Sequence, residues 1–192
     1  MLILGSSSPR RKEILGAFAL PFEVASPPFN EDSIPFTGDP EKYVTSLSLG
    51  KAKSLHTKFP ESNLLTADTV VYLDGKVFNK PAHLEEAVSF LSQLVDKEHS
   101  VFTGVTLHTP SEYYGQVEET KVHFNPLSLE QIRHYLAHMT WQDKSGGYGI
   151  QAAGGLLVKK IEGCYSNVMG LPVNSVRDLL LKIGIDLWLH IR

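Results

Sequence analysis

One apolar run that carries a single carboxylate constrains this chain more than any other feature. Leu64-Leu-Thr-Ala-Asp-Thr-Val-Val-Tyr-Leu73 is rich in Val and Leu and ends at Asp74-Gly75. Both positions of that dipeptide tolerate positive φ, so it predicts a tight hairpin turn with Lys76 to Phe78 returning. Asp68 interrupts the run. In a buried strand its charge needs a cation, a metal or several hydrogen-bond donors. The alternative is an acid at a bulge or at a strand end.

The rest of the chain alternates strands and helices around this segment. Met1 to Leu4 predicts a short strand ending at Gly5, and Arg10 to Phe18 a helix introduced by three serines and Pro9. Phe22 to Ala25 offers a second strand, and the Pro-rich stretch from Ser26 to Gly38 reads as a charged loop without regular structure. Glu41 to His56 and Leu84 to Val95 read as helices. Ser100 to Thr109 and Gln116 to Phe124 alternate like strands paired across a turn at Pro110 to Gly115. Ser128 to Met139 is a helix with Ser128 as its cap and Gln131 completing a capping box. A glycine-rich loop to Gly155, a strand over Leu156 to Ile161 and a helix over Val173 to Ile183 close the chain. Hairpins mixed with crossover helices predict an α/β fold: one domain over residues 1–192, with a mixed twisted sheet, flanking helices and two lobes around a central cleft.

Composition narrows the function classes. Across 192 residues, 18 Lys plus Arg face 21 Asp plus Glu, a net charge of −3. That balance gives no general attraction for nucleic acid, so any polyanion site is local. The single Cys164 excludes an internal disulfide and a Cys-paired zinc site, and it fits a reducing compartment. The N-terminal apolar run is too short for a signal peptide, and no run approaches the roughly 20 residues that span a bilayer. The expectation is a cytoplasmic protein without a membrane partner.

Several charged positions point to phosphate chemistry. Ser8 before Pro9 suits a helix N-cap, yet Arg10 and Arg11 then stand where the helix dipole disfavours cations. An anion would resolve the conflict, held by free amides, the hydroxyls of Ser6 to Ser8 and two guanidinium forks; two solvated arginines on a capped surface helix are the bland reading. Lys80, before Pro81, is biased towards an extended conformation that could reach an anion in a cleft, or is simply solvated. Lys51 and Lys53 read as a solvated helix face or as further phosphate charges. Glu31 and Asp32 lie in the loop and, with Asp68, offer the oxygen ligands that Mg²⁺ prefers. Asp143 to Gln151 brings glycines that let backbone approach a ligand and ends in an amide that donates and accepts. His134 and His138 have the spacing of a metal face without the HExxH pattern, and neither the serines nor Cys164 has the partners of a nucleophile.

Ser6-Ser-Ser-Pro-Arg-Arg11, Ala67-Asp-Thr-Val-Val71, Lys80-Pro81, Asp143-Lys-Ser-Gly-Gly-Tyr-Gly-Ile-Gln151 and Asn167-Val-Met-Gly-Leu-Pro172 together resemble the Maf family of nucleotide pyrophosphatases. The five motifs, in order, span nearly the whole chain. The resemblance implies a cleft between two lobes, an architecture related to inosine-triphosphate pyrophosphatases, and a homodimer. Asp143 to Gln151 looks like the pattern of the branch that hydrolyses dTTP and UTP, with Ser145 and Gly147 as small replacements. After the loop, Gln151-Ala departs from that pattern's Gln-Gly.

Carried over by position, the resemblance makes Asp68 the proton acceptor and Arg10, Thr69 and Gln151 the residues of substrate choice. It assigns Arg11, Glu31, Lys51 and Lys80 to phosphate or metal handling, alongside Ser8 and Arg10 at the helix start. The implied reaction is attack of water on the α-phosphorus of a nucleoside triphosphate, releasing diphosphate and a nucleoside monophosphate. Four cationic side chains then balance the leaving charge, and Asp68 acts as base or as metal ligand. Mg²⁺, with Mn²⁺ as a substitute, is the expected cofactor, held by Glu31 and Asp68. A nucleotide-binding regulator of septum formation and cell division, without essential turnover, is the alternative.

Overall fold

The computed structural model describes residues 1–191. In chain order the elements are β1 (Leu2–Gly5), α1 (Pro9–Gly16), β2 (Glu23–Ala25), α2 (Pro40–His56), β3 (Asn63–Leu73), β4 (Lys76–Phe78), α3 (Leu84–Leu94), β5 (Glu98–His108), β6 (Tyr113–Phe124), α4 (Leu129–His138), β7 (Val158–Glu162), α5 (Tyr165–Val168) and α6 (Val173–Leu181). Short 3₁₀ turns lie at Glu31–Ser33, Ser145–Gly147, Ala152–Leu157 and Leu187–His190. One seven-stranded sheet runs β2-β1-β3-β5-β6-β7, and β4 pairs with the far end of β3. β1 is parallel to β2 and β3; the remaining pairs are antiparallel, so the sheet is mixed.

The period of two along β3 decides what the sheet can position. Leu64 packs with Leu55, and Val70 with Val44 and Leu47, so the even-numbered residues of β3 face α2. Odd-numbered residues face the other layer, which holds two separate apolar cores. Leu65 and Ala67 join one core with Leu15 of α1 and Leu179 of α6, whereas Val71 joins another with Leu91 of α3 and Leu136 of α4. Between them on the same face stands a polar pair in register, Thr69 and Thr103. The two lobes part there. Close approach of α2 to the sheet depends on Gly104 of β5, where a Cβ would lie 2.5 Å from the carbonyl oxygen of Val44.

The expected elements are present with shifted ends. α1 stops at Gly16, because Phe18 forms an isolated bridge to Ile191 and Ala19 N–H donates to the His190 carbonyl. The turn between β5 and β6 closes between Thr109 and Glu112, which lets β6 begin at Tyr113 instead of Gln116. β7 begins at Val158 because Ala152–Leu157 forms a 3₁₀ turn. The loop from Ser26 to Gly38 does contain regular structure, a 3₁₀ turn started by Asn30, whose side-chain oxygen accepts from Asp32 N–H. Ser128 and Gln131 form the expected capping box, and Asp74 and Gly75 take the expected positive φ values of 50° and 81°. Among the described residues, no helix is long and apolar enough to cross a membrane.

Candidate active site

A cleft of about 410 Å³ opens where the two lobes part, and Ser8, Arg10, Arg11, Glu31, Lys51, Asp68, Thr69, Lys80 and Gln151 all line it. Nine positions drawn from six separate stretches of sequence thus share one cavity.

Asp68 lies mid-strand, in unbroken register opposite Gly104, so it is neither at a bulge nor at a strand end. Its even position directs it towards α2, where its carboxylate accepts a hydrogen bond from the Lys51 ammonium. Lys51 is no solvated surface residue: Val44, Leu47, Lys51 and Leu55 form the buried stripe of α2 at spacings of three and four. Lys53 falls off that stripe and instead lies over the Tyr113 ring, outside the cleft. Lys51 also bonds Glu31, at 2.7 Å, and the other Glu31 oxygen stands 3.9 Å from Lys80. Burial works to raise the Glu31 pKa, but the charge and hydrogen bond of Lys51, then Lys80 and Arg11, hold it below the ordinary carboxylate value.

The N-terminus of α1 supplies the second group. Ser8 occupies the N-cap position, yet its hydroxyl caps nothing and its own N–H donates to Ser6 Oγ at 3.1 Å. The first turn of α1 therefore has no side-chain cap and no acidic residue, as an anion site requires. Arg11 is fixed by three bonds, from Nε to the Gly170 carbonyl (2.7 Å), from Nη2 to Thr69 Oγ1 (3.0 Å) and from Nη1 to Ser6 Oγ (3.4 Å). Burial pushes its pKa down, opposed by the nearby charge of Asp68. Gly170 adopts φ 101°, a conformation that brings its carbonyl to the guanidinium. Thr69 Oγ1 shares a further bond with Thr103 Oγ1 at 2.9 Å, so the polar pair between the lobes anchors Arg11.

Arg10 reaches the glycine-rich loop. It donates to Asp143 Oδ2 at 2.6 Å and to the Asp143 carbonyl at 3.1 Å. Lys144 binds the other Asp143 oxygen at 2.7 Å, and Ser145 Oγ donates to the Thr69 carbonyl at 2.7 Å. Burial raises the Asp143 pKa, but the hydrogen bonds from Lys144 and Arg10 outweigh it and leave a net lowering. Asp143, Lys144 and Ser145 were visible as part of a motif but without individual roles. A pairing across 133 residues has no local sequence signal. Gln151 ends the loop at the cleft, and its side chain caps nothing in the following 3₁₀ turn.

Glu31 and Asp68 aim oxygen-only donors at the point where the Lys51 ammonium stands. A site that already attracts one cation with two carboxylates fits a hard divalent ion. A different group could also hold a metal ion: Glu98, His123 and Glu162, on three adjacent strands outside the cleft. His123 Nε2 is 2.6 Å from Glu98 and 3.8 Å from Glu162, but Lys121 and Lys160 already neutralise the two carboxylates. His134 and His138 take no part in it.

Residues 1–183 match the family model described as Maf-like protein. The chain belongs to the Maf family. A protein of Chlamydia felis named dTTP/UTP pyrophosphatase is 46% identical to this Maf chain over 97% of its length and 96% of the relative's. A Pyrococcus abyssi protein of the same name is 42% identical, covering 96% of both chains. Among solved structures, the Staphylococcus aureus Ham1 protein aligns with 99% of this Maf chain and 93% of its own, with a TM-score of 0.49 and 10% identity.

Proposed function

We propose that this Maf chain is a nucleoside triphosphate pyrophosphatase, a hydrolase of the phosphoric anhydride bond that converts dTTP and UTP to the monophosphate and diphosphate. The substrate choice is supported by relatives of that name at 40–46% identity over nearly the full chain. The observation that carries the chemistry is the buried contact of Lys51 with Asp68 at the floor of a cleft lined with cationic side chains.

In this reading the triphosphate lies between the uncapped start of α1 and the Lys51–Lys80 side of the cleft. Arg10, Arg11, Lys51, Lys80 and the Ser8 region meet the phosphate oxygens, which carry more charge as the bond to diphosphate breaks. Asp68 takes the proton of the attacking water, and Lys51 holds the carboxylate oriented for that task. Arg10, Thr69 and Gln151 choose the base. Glu31 and Asp68 would hold Mg²⁺, or Mn²⁺, which when bound supplies positive charge to the phosphates.

The same proposal includes a homodimer in the cytoplasm. Exposed Trp188, Leu189 and Ile191 support self-association, because apolar residues grouped at a surface favour an interface. Lys51, Lys80 and Arg10 each face a carboxylate, and with the net charge of −3 this supports a mononucleotide over a polynucleotide partner. Incubation with a nucleotide panel and Mg²⁺, with products separated by ion exchange, tests the reaction. Diphosphate with dTMP or UMP is expected. Orthophosphate with a nucleoside diphosphate would place the attack at the γ-phosphorus and overturn the assignment, and binding without turnover would favour the regulator.

A further inference from the structure

The glycine-rich loop is held at its centre, Tyr148, by a residue outside the cleft lining, His99. Tyr148 lines the cleft, but its ring is buried edge-on against Phe124, at 4.7 Å between centroids, and against His99 at 5.5 Å. Its hydroxyl meets Nε2 of His99, a residue that does not line the cleft, at 2.7 Å. His99, on β5, is 2% exposed, and its Nδ1 has no hydrogen-bond partner.

Those contacts decide the protons. Burial, with His123 adding to it, pushes the His99 pKa down to about 3, so the ring is neutral in any working buffer. Burial also raises the Tyr148 pKa, so the phenol keeps its proton. If Nε2 carried the hydrogen, both Nδ1 and the phenol proton would be left unpaired. If the phenol donates to Nε2, only the Nδ1 hydrogen is unpaired, so this tautomer is the lower in energy.

Before Tyr148 the loop is tied by Ser145 Oγ to the Thr69 carbonyl and by Gly146 N–H to the Asn79 carbonyl at 3.1 Å, whereas between Tyr148 and Gln151 it has little to fix it. Gly146 and Gly147 sit at φ 71° and 74°, and Gly149 is tied by one long bond, N–H to the Tyr135 hydroxyl at 3.3 Å. Glycines allow many conformations, so a loop of this composition needs an anchor to present fixed groups. Asp143 and Ser145 on one side, and Gln151 on the other, are all within five residues of Tyr148. We propose that His99 is a positioning residue for substrate selection: by accepting the Tyr148 hydroxyl from its place on β5, it sets the glycine-rich loop at the height where Gln151 faces the bound nucleotide. This rests on the pyrophosphatase reading given above.

Tyr148→Phe, which removes only the hydroxyl, His99→Leu and the double variant would be compared with the full chain. Two readouts are followed, steady-state kinetics on dTTP and UTP with Mg²⁺ and amide hydrogen exchange over residues 146–149. Each single variant is expected to raise KM about two- to tenfold, the range that one lost hydrogen bond converts to, with kcat little changed. Exchange in the loop should quicken, and the double variant should be no worse than the more impaired single, since one bond is lost in all three. Unchanged KM, a fall in kcat alone, or unaltered loop exchange in Tyr148→Phe would overturn the assignment. A wild-type protein that turns over no triphosphate would instead remove the pyrophosphatase reading, and loop exchange would then decide the positioning role by itself.

Discussion

Lys51 buries its ammonium against the carboxylate of Asp68, and each side chain is only 9% exposed. Two opposite charges taken out of water hold one another in place, and Lys51 cannot be removed without stranding Asp68. Asp68→Asn keeps the size of the side chain and leaves Lys51 its bond to Glu31. The variant should fold, as judged by circular dichroism, and lose about 10²- to 10⁴-fold in turnover, the usual contribution of a general base. A folded variant with more than a tenth of the wild-type rate at saturating Mg²⁺ would dismiss Asp68 from the chemistry.

Lys51→Met tests the other half of the contact. The apolar stem still fits the stripe of α2, but Asp68 is left without its cation, a loss of about 3–5 kcal/mol for a buried pair. A divalent ion held by Glu31 and Asp68 would restore part of this. Mg²⁺ should therefore raise the melting temperature of Lys51→Met by more than that of the wild type. Equal shifts in both proteins would move the metal away from these carboxylates.

Acid should weaken the fold through Glu31 and Asp143. Both carboxyls are held below their ordinary values of 4.5 and 3.8, so the folded state binds its proton less readily than the unfolded chain. Their stabilisation is therefore complete above those values and is lost as pH falls through the lower folded ones. Urea midpoints should be level near neutrality and decline below about pH 5. The decline should be shallower in Glu31→Gln. Identical pH profiles for the two proteins would mean that Glu31 contributes nothing to the fold.

Phosphate is common to every nucleotide, whereas the base edge is not. Arg11→Ala should depress turnover of all triphosphates alike. It also frees Gly170 and Thr69, so its stability should be measured alongside. Gln151→Ala should lower the preference for dTTP and UTP over CTP, because an amide can pair with the adjacent carbonyl and N–H of thymine or uracil. Relative kcat/KM across the panel measures this. A uniform loss across all nucleotides in Gln151→Ala would send the search for base recognition to Thr69.

The strands and helices around Asp68 were legible because their periods differ and their turns carry marked residues, Asp74-Gly75 above all. Lys51 was legible in part: its place four residues from both Leu47 and Leu55 put it on the buried stripe, whereas residue type alone argued for solvent. The contacts that build the cleft were not. Arg10 with Asp143, Arg11 with Gly170 and Tyr148 with His99 join residues whose proximity arises only after β1, β3 and β5 have paired. The same holds for the gap between the lobes. It follows from Thr69 and Thr103 facing each other in register, which depends on the pairing partner as well as on the strand.

Ala152 stands where the related pattern continues with glycine, and the structure gives that departure a cost. Its φ is 50°, in the left-handed region, where an L-residue with a Cβ is disfavoured by about 1–2 kcal/mol. The side chain is exposed, so it gains no packing in return. Glycine removes the strain and adds about 0.5–1 kcal/mol of backbone entropy loss on folding, leaving a net gain of up to about 1.5 kcal/mol. For a chain of this length, about 1 kcal/mol raises the melting temperature by about 2–4 °C. Ala152→Gly should melt higher by calorimetry, with the preference among nucleotides unchanged, because Gln151 keeps its place at the end of the loop. A lower melting temperature would show that the left-handed turn is not strained by its methyl group, and that the departure from glycine at this position favours the fold.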